Sequence, residues 1–209
     1  MGGSKLNIEL LREKVGNRTP RPMDVKGKFS VLIPLILVDD KWHILYELRS
    51  KDLKAQPGEI SFPGGKVEKG ESFKEAAIRE TVEELLVNRE DIEILGELDF
   101  LVSYANFTIH CFLGRINKDI KEIYPSEDEV DHIFTVPIDY FMDNEPKVYE
   151  LGLITENNDE FPYELIPKGK NYNFRAGRHT VLFYIYKEYV IWGYTARMTR
   201  QLIEILKDI

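Results

Sequence analysis

The sequence predicts an α+β fold in which a helix packs on a mostly antiparallel sheet. Three observations carry that expectation. Ser30–Val38 is a continuous apolar run, the mark of a buried strand. Trp42–Leu48 alternates apolar and polar residues and reads as a second strand. Ser72–Leu86 has amphipathic spacing and is the clearest helix in the chain.

The elements follow in order. Leu6–Val15 predicts a short helix, with Leu6, Ile8, Leu10 and Leu11 set among charges. Arg18–Lys28, broken by two prolines, reads as loop. Asp39-Asp40-Lys41 is a turn that makes a hairpin of the first two strands. Lys51–Gly70 is rich in Gly and Pro and predicts a long loop, a common place for function inside a compact domain. Ile92–Val102 and Phe107–Ile116 read as strands around a turn at Ser103–Asn106. Val130–Thr135 is a further short strand, and Val136-Pro137 opens a short helix to Met142. Lys147–Leu151 and Thr180–Ile191 add strand material, and Gly193–Lys207 closes the chain as an amphipathic helix. Asn157–Gly177 is the least regular stretch. With no repeat or linker, residues 1–209 read as one domain, its core at about 28–209 behind a short N-terminal helical extension.

Composition narrows the function. Apolar residues make up 43% of the chain, enough for a core. The net charge is −8 and Lys and Arg are scattered, which disfavours a nucleic-acid groove. An acidic protein can still take a phosphorylated small molecule if a cation stands between. Cys111, the single cysteine, can form no disulfide within the chain and reads as a core residue. No apolar run reaches membrane-spanning length. The N-terminus lacks a basic flank followed by an apolar stretch, so no secretory signal is expected and a cytoplasmic location is the default.

The helix Ser72–Leu86 carries the chemistry. At about 100° per residue, Ile78, Val82 and Leu85 share one side, expected to be buried. Glu80 and Glu84 project from the other, with Glu83 beside them. Like charges at this spacing destabilise a helix, and a divalent cation would offset that. Oxygen-only ligands suit a hard ion such as Mg²⁺ or Mn²⁺. Upstream, Gly64 and Gly65 let backbone approach a ligand closely and free a carbonyl to face a metal. Glu71 and Arg79 are placed to pair and orient the acidic strip. Alone, the three glutamates would read as a solvated face; the glycine turn, Glu71 and Arg79 favour a site.

Gly65, five residues, Glu71, seven residues, Arg79-Glu80, two residues and Glu83-Glu84 together resemble the signature box of Nudix hydrolases. Two positions depart from it: Thr81 stands where an aliphatic residue is usual, and Leu86 where glycine is. Leu86 implies one more helical turn or a different exit. The resemblance implies an α/β/α sandwich around a mixed sheet and cleavage of a nucleoside diphosphate linked to another group. It makes Glu80 and Glu84 metal ligands, Glu83 a ligand or base, the Gly65 carbonyl a further ligand, and Glu71 and Arg79 supports. The cation would neutralise the diphosphate and make an attacking water more acidic.

A second pattern overlaps the first. Leu48-Arg49-Ser50, Lys54, Gly58 and Phe62-Pro63-Gly64-Gly65, each separated by three residues, are similar to an extension found in the coenzyme A pyrophosphatases of this family. Ile191-Trp192-Gly193-Tyr194-Thr195-Ala196 resembles that subfamily's closing segment, and the subfamily includes homodimers. Lys54 holds a place usual for arginine, keeping the charge but losing the bidentate fork. Arg49, Lys54 and Gly64 are the expected substrate contacts. Glu127 and Glu129 read as loop residues or as one more ligand or base. Trp192 reads as a core or helix-start aromatic, Tyr104 and Asn106 as residues at a turn near a ligand pocket. His43, His110, His132 and His179 show no ligand spacing. Three functions stand: a coenzyme A diphosphatase, a Nudix hydrolase for another substrate such as ADP-ribose, and a non-catalytic nucleotide sensor.

Overall fold

A computed structural model describes residues 7–156 and 160–208. Leu6 and the start of the irregular stretch, 157–159, lie outside the described residues. The first helix, α1 (Ile8–Gly16), is capped by Asn7, whose side chain accepts from the Leu10 amide at 2.8 Å; it buries no residue.

Strand β1 (Gly27–Val38) and β2 (Lys41–Arg49) form the expected hairpin. Asp39 and Asp40 both take positive φ, 48° and 58°, as a tight two-residue turn demands. The long loop is not structureless. It holds β3 (Ile60–Ser61), paired with β2, and β4 (Gly64–Lys66), paired with β1. Helix α2 (Phe73–Leu85) follows, with Ser72 and Glu75 completing a capping box.

The predicted strand Ile92–Val102 is two. β5 (Ile92–Glu97) carries an irregularity between Ile94 and Gly96, and β6 (Leu101–Val102) pairs separately with β7 (Phe107–Ile116). β7 runs parallel to β1, so the sheet is mixed. β8 (Val130–Pro137) pairs with β2 and leads into α3 (Ile138–Asp143). The remaining strands form a second sheet: β9 (Lys147–Leu153), β10 (Gly177–Tyr186) and β11 (Tyr189–Trp192). Thr180–Ile191 is therefore a hairpin, turned at Lys187 with φ 54°. Helix α4 (Gly193–Lys207) has the predicted bounds.

The pleat of β1 and β2 sorts the core into two layers. Leu32 packs with Ala77, and Ile36 and Leu45 pack with Leu85, on the α2 side. Ile33, Ile44 and Tyr46 turn the other way, against Ala196, Leu202 and Tyr184 from α4 and the second sheet. Tyr46 meets the Thr199 hydroxyl there at 2.9 Å. The architecture is the α/β/α sandwich with a mixed sheet.

Candidate active site

The site forms where α2 crosses the turn leading into it. Leu32 N–H donates to Pro63 O at 2.9 Å, and Ser30 Oγ donates to Phe73 O at 2.7 Å, so β1 holds both the turn and the helix start. Gly64 and Gly65 must be glycine for different reasons. A Cβ on Gly64 would stand 2.5 Å from Ser30 O and 2.7 Å from Val31 Cα. A Cβ on Gly65 would run into the Glu80 carboxylate.

The three glutamates are graded from outside in. The side chain of Glu83 is 54% exposed, that of Glu80 16% and that of Glu84 3%. The expected outward face is thus corrected: Glu84, beside Leu85, lies on the buried side, while Val82 is only half-buried. Glu84 Oε2 accepts the Gly64 amide at 2.8 Å, locking helix to turn. Thr81 is fully buried and satisfies its hydroxyl by donating to Ala77 O at 2.7 Å, which explains how it replaces an aliphatic residue. Leu86 adds no further turn. It ends the helix in the left-handed region, φ 50° and ψ 39°, the conformation glycine would supply.

Arg79 gathers the outer ring. Its Nε and Nη2 donate to the two oxygens of Glu71 at 2.9 and 3.2 Å. Its Nη1 lies 2.9 Å from both Glu80 Oε1 and Glu83 Oε2, and Nη2 also reaches Lys66 O. Arg79 holds the Glu71 carboxyl below its ordinary range through this hydrogen bond. Glu80 shifts the other way, raised chiefly by burial. Glu84 is raised strongly, first by burial and then by the charge of Glu47.

Glu47 is the residue that sequence reading missed. It sits fully buried on β2, with Oε1 accepting from Ser61 Oγ at 2.8 Å. A glutamate within an alternating strand was visible; which face it took was not. Arg49, two residues on, brings Nη1 to 3.9 Å from Glu84 Oε1. Lys54 stands exposed on the loop, without a hydrogen-bond or ion-pair partner among the described residues. Glu129 is exposed yet raises both Glu47 and Glu80 by its charge, whereas Glu127 affects neither.

Other candidates fall outside the cluster. His43 meets Thr135, His110 stacks between Phe73 and Phe100, and His132 bridges Asp131 and Tyr189. Tyr104 packs edge-on to His179. Trp192 occupies the N-cap of α4 and stacks on Phe183. Cys111 is buried on β7, its thiol pushed up to about 12 by desolvation, which keeps it protonated.

A NUDIX domain model matches residues 29–156, spanning the β1–β2 hairpin, the glycine turn and all of α2. The chain belongs to the Nudix family. Nudix hydrolase 3 of Caenorhabditis elegans is 32% identical over 88% of this chain and 75% of its own length. The peroxisomal coenzyme A diphosphatase NUDT7 of Mus musculus is 34% identical over 65% of this chain and 56% of its own. A MutT/nudix family protein from Enterococcus faecalis shares the fold, with a TM-score of 0.53 at 13% identity over 98% of this chain and 71% of that one. The protein is a Nudix pyrophosphohydrolase, acting on a diphosphate linkage.

Nudix hydrolases generally use divalent metal ions. The donors here fit one. They are all oxygens, two of the carboxylates, Glu47 and Glu84, are buried with raised affinity for a proton, and one oxygen of Glu47 is buried without a partner. Among the described residues no three acidic or imidazole groups already converge as a cage. Arg79 holds Glu80 and Glu83, and a cation must compete with it for them. No helix among the described residues is long and apolar enough to cross a membrane.

Proposed function

We propose that this Nudix hydrolase is a coenzyme A diphosphatase, cleaving coenzyme A or its acyl esters to phosphopantetheine and adenosine 3',5'-bisphosphate with Mg²⁺ or Mn²⁺. Glu80 and Glu84 would hold the cation, with Glu83 and the Gly65 carbonyl as further ligands. When bound, the cation neutralises diphosphate charge and acidifies the attacking water. Arg79 orients Glu80 and Glu83, and Glu71 in turn fixes Arg79 in the plane of its own carboxylate. Gly64 spends its amide on Glu84, so its part in substrate binding is to let the turn lie against β1. Arg49 is the cation on hand for a substrate phosphate, and Lys54, free on its loop, can reach a second one.

The observation that carries the substrate reading is the course of the Leu48–Gly58 segment. It leaves β2 at Arg49, beside Glu84, and returns so that Gly58 N–H donates to Arg49 O at 3.1 Å. On the α4 side of β2, Leu48, Gly58 and Ile60 line a hollow of about 710 Å³ together with Tyr189, Val190 and Trp192. The amide-bearing arm that coenzyme A attaches to its diphosphate would pass around the Arg49–Gly58 loop to reach such a hollow, whose size suits a small-molecule ligand. The relative named as a coenzyme A diphosphatase supports the same reading. A lysine at position 54 favours a second one, a substrate such as ADP-ribose that lacks the extra phosphate. A panel of coenzyme A, acetyl-coenzyme A, ADP-ribose and nucleotide sugars, each titrated with Mg²⁺ and Mn²⁺, tests it. Turnover of coenzyme A or acetyl-coenzyme A at least tenfold above ADP-ribose and the nucleotide sugars is expected; preference for ADP-ribose selects the alternative.

A further inference from the structure

Glu47 lies beside the acidic cluster but holds no role in the function proposed above. It is 0% exposed near the end of β2, and its Oε2 is buried with no hydrogen-bond partner. An orphaned carboxylate oxygen is costly, and an apolar residue would fill the position at lower cost. Its direction follows from the pleat. Ile44, Tyr46 and Leu48 belong to the α4-side core, whereas Leu45 packs with Leu85 of α2. Glu47 continues the Leu45 row, and Arg49 ends it beside Glu84. The charged groups that Glu47 feels are Arg49, Glu129 and Glu80, and it in turn acts on Glu84. Four carboxylates, Glu47, Glu80, Glu84 and Glu129, against the guanidinium groups of Arg49 and Arg79 leave this face short of positive charge.

We propose that Glu47 is an additional ligand of the cation held by Glu80 and Glu84, offering its free Oε2 while Ser61 fixes Oε1. This rests on the reading of Glu80 and Glu84 as metal ligands. The centre then draws on β2 as well as α2 and the glycine turn. Ser61, on β3, becomes a positioning residue: its hydroxyl sets which oxygen of Glu47 is left for the metal.

Mn²⁺ titrated calorimetrically into the metal-free full chain tests this, with Glu47→Gln, Ser61→Ala and Glu80→Gln beside the wild type. Glu47→Gln keeps the acceptor for Ser61 and is expected to weaken Mn²⁺ binding about 10- to 100-fold, as loss of a supporting group or ligand does. Ser61→Ala is expected to weaken it severalfold. In chelator, Glu47→Gln should melt no lower than the wild type, because a buried unpartnered carboxylate has been removed. Mn²⁺ affinity within twofold of wild type in Glu47→Gln, while Glu80→Gln loses binding, overturns the proposal and leaves the α2 reading intact. Wild-type affinity in Glu80→Gln overturns both. If Glu47→Gln does not fold, unchanged affinity in Ser61→Ala overturns the role given to Glu47.

Discussion

Two residues at the end of α2 show how far single positions can be read. The spacing of Glu71, Arg79, Glu80, Glu83 and Glu84 was legible because a chemical pattern recurs at helical intervals. Burial was not, since the side on which Glu84 falls depends on β1 and β2 beneath it. Leu86 is the reverse case: the residue type suggested a longer helix, but the packing of Leu85 and Val87 forces the left-handed exit. The residue is 60% exposed and contributes little packing. Leu86→Gly is therefore expected to stabilise the fold by about 0.5–1 kcal/mol, relieving left-handed strain net of glycine's entropy cost. That would raise the melting temperature by about 2–4 °C per kcal/mol; a fall would show that Leu86 is held by packing. Glu84 and Glu47 set a pH dependence. Burial first, then mutual charge, raises Glu84 to about 9; burial raises Glu47 to about 7. Their unfolded values are lower, so their contribution to stability is complete below about pH 4.5 and is lost as pH rises through 7 and 9. In chelator, the melting temperature is expected to fall between about pH 6 and pH 8.5. Mg²⁺, which favours the ionised carboxylates, should raise it more at the higher pH.

At the scale of elements, strands and helices with strong periodicity were found near their true bounds, and weak turns were not. Lys187-Glu188 turns β10 into β11 without Gly, Pro or Asn, so the hairpin read as one strand. Leu98–Phe100 breaks the predicted strand after Glu97, beyond a register irregularity between Ile94 and Gly96. β3 and β4 are too short to show a period, although β4 carries the glycine turn. The two glycines of that turn separate stability from chemistry. Gly64→Ala presses a methyl on the β1 backbone, and a loss of about 1–3 kcal/mol is expected, as for overpacking. Gly65→Ala meets only the flexible end of Glu80, so a small change in melting but at least a tenfold loss of turnover is expected. Chemical denaturation and steady-state rates on the two variants distinguish the cases. Equal stability losses would contradict the assigned contacts.

For the whole molecule, the sandwich explains why one site draws on distant segments. The mixed sheet gives each strand of its centre two faces, one on α2 and one on α4. Alternation in β2 therefore sends Tyr46 to the aromatic core and Glu47 to the acidic site. Sequence reading reached α2 and the glycine turn, which are contiguous, but not Glu47, whose neighbours are brought together only by sheet order. The parallel pairing of β1 with β7 and the separate sheet of β9, β10 and β11 were likewise beyond it, being long-range pairings with no local signal. The most direct measurement is the rate of coenzyme A cleavage by Glu84→Gln beside the wild type at saturating Mn²⁺, with phosphopantetheine and adenosine 3',5'-bisphosphate resolved by chromatography. Glutamine can still accept the Gly64 amide, so the variant should fold. Metal-dependent release of both products by the wild type and a loss of at least about 100-fold in the variant are expected, the scale of one preorganised electrostatic group. A variant within twofold of the wild type, or wild-type cleavage that chelator leaves unchanged, would contradict a metal centre built on α2.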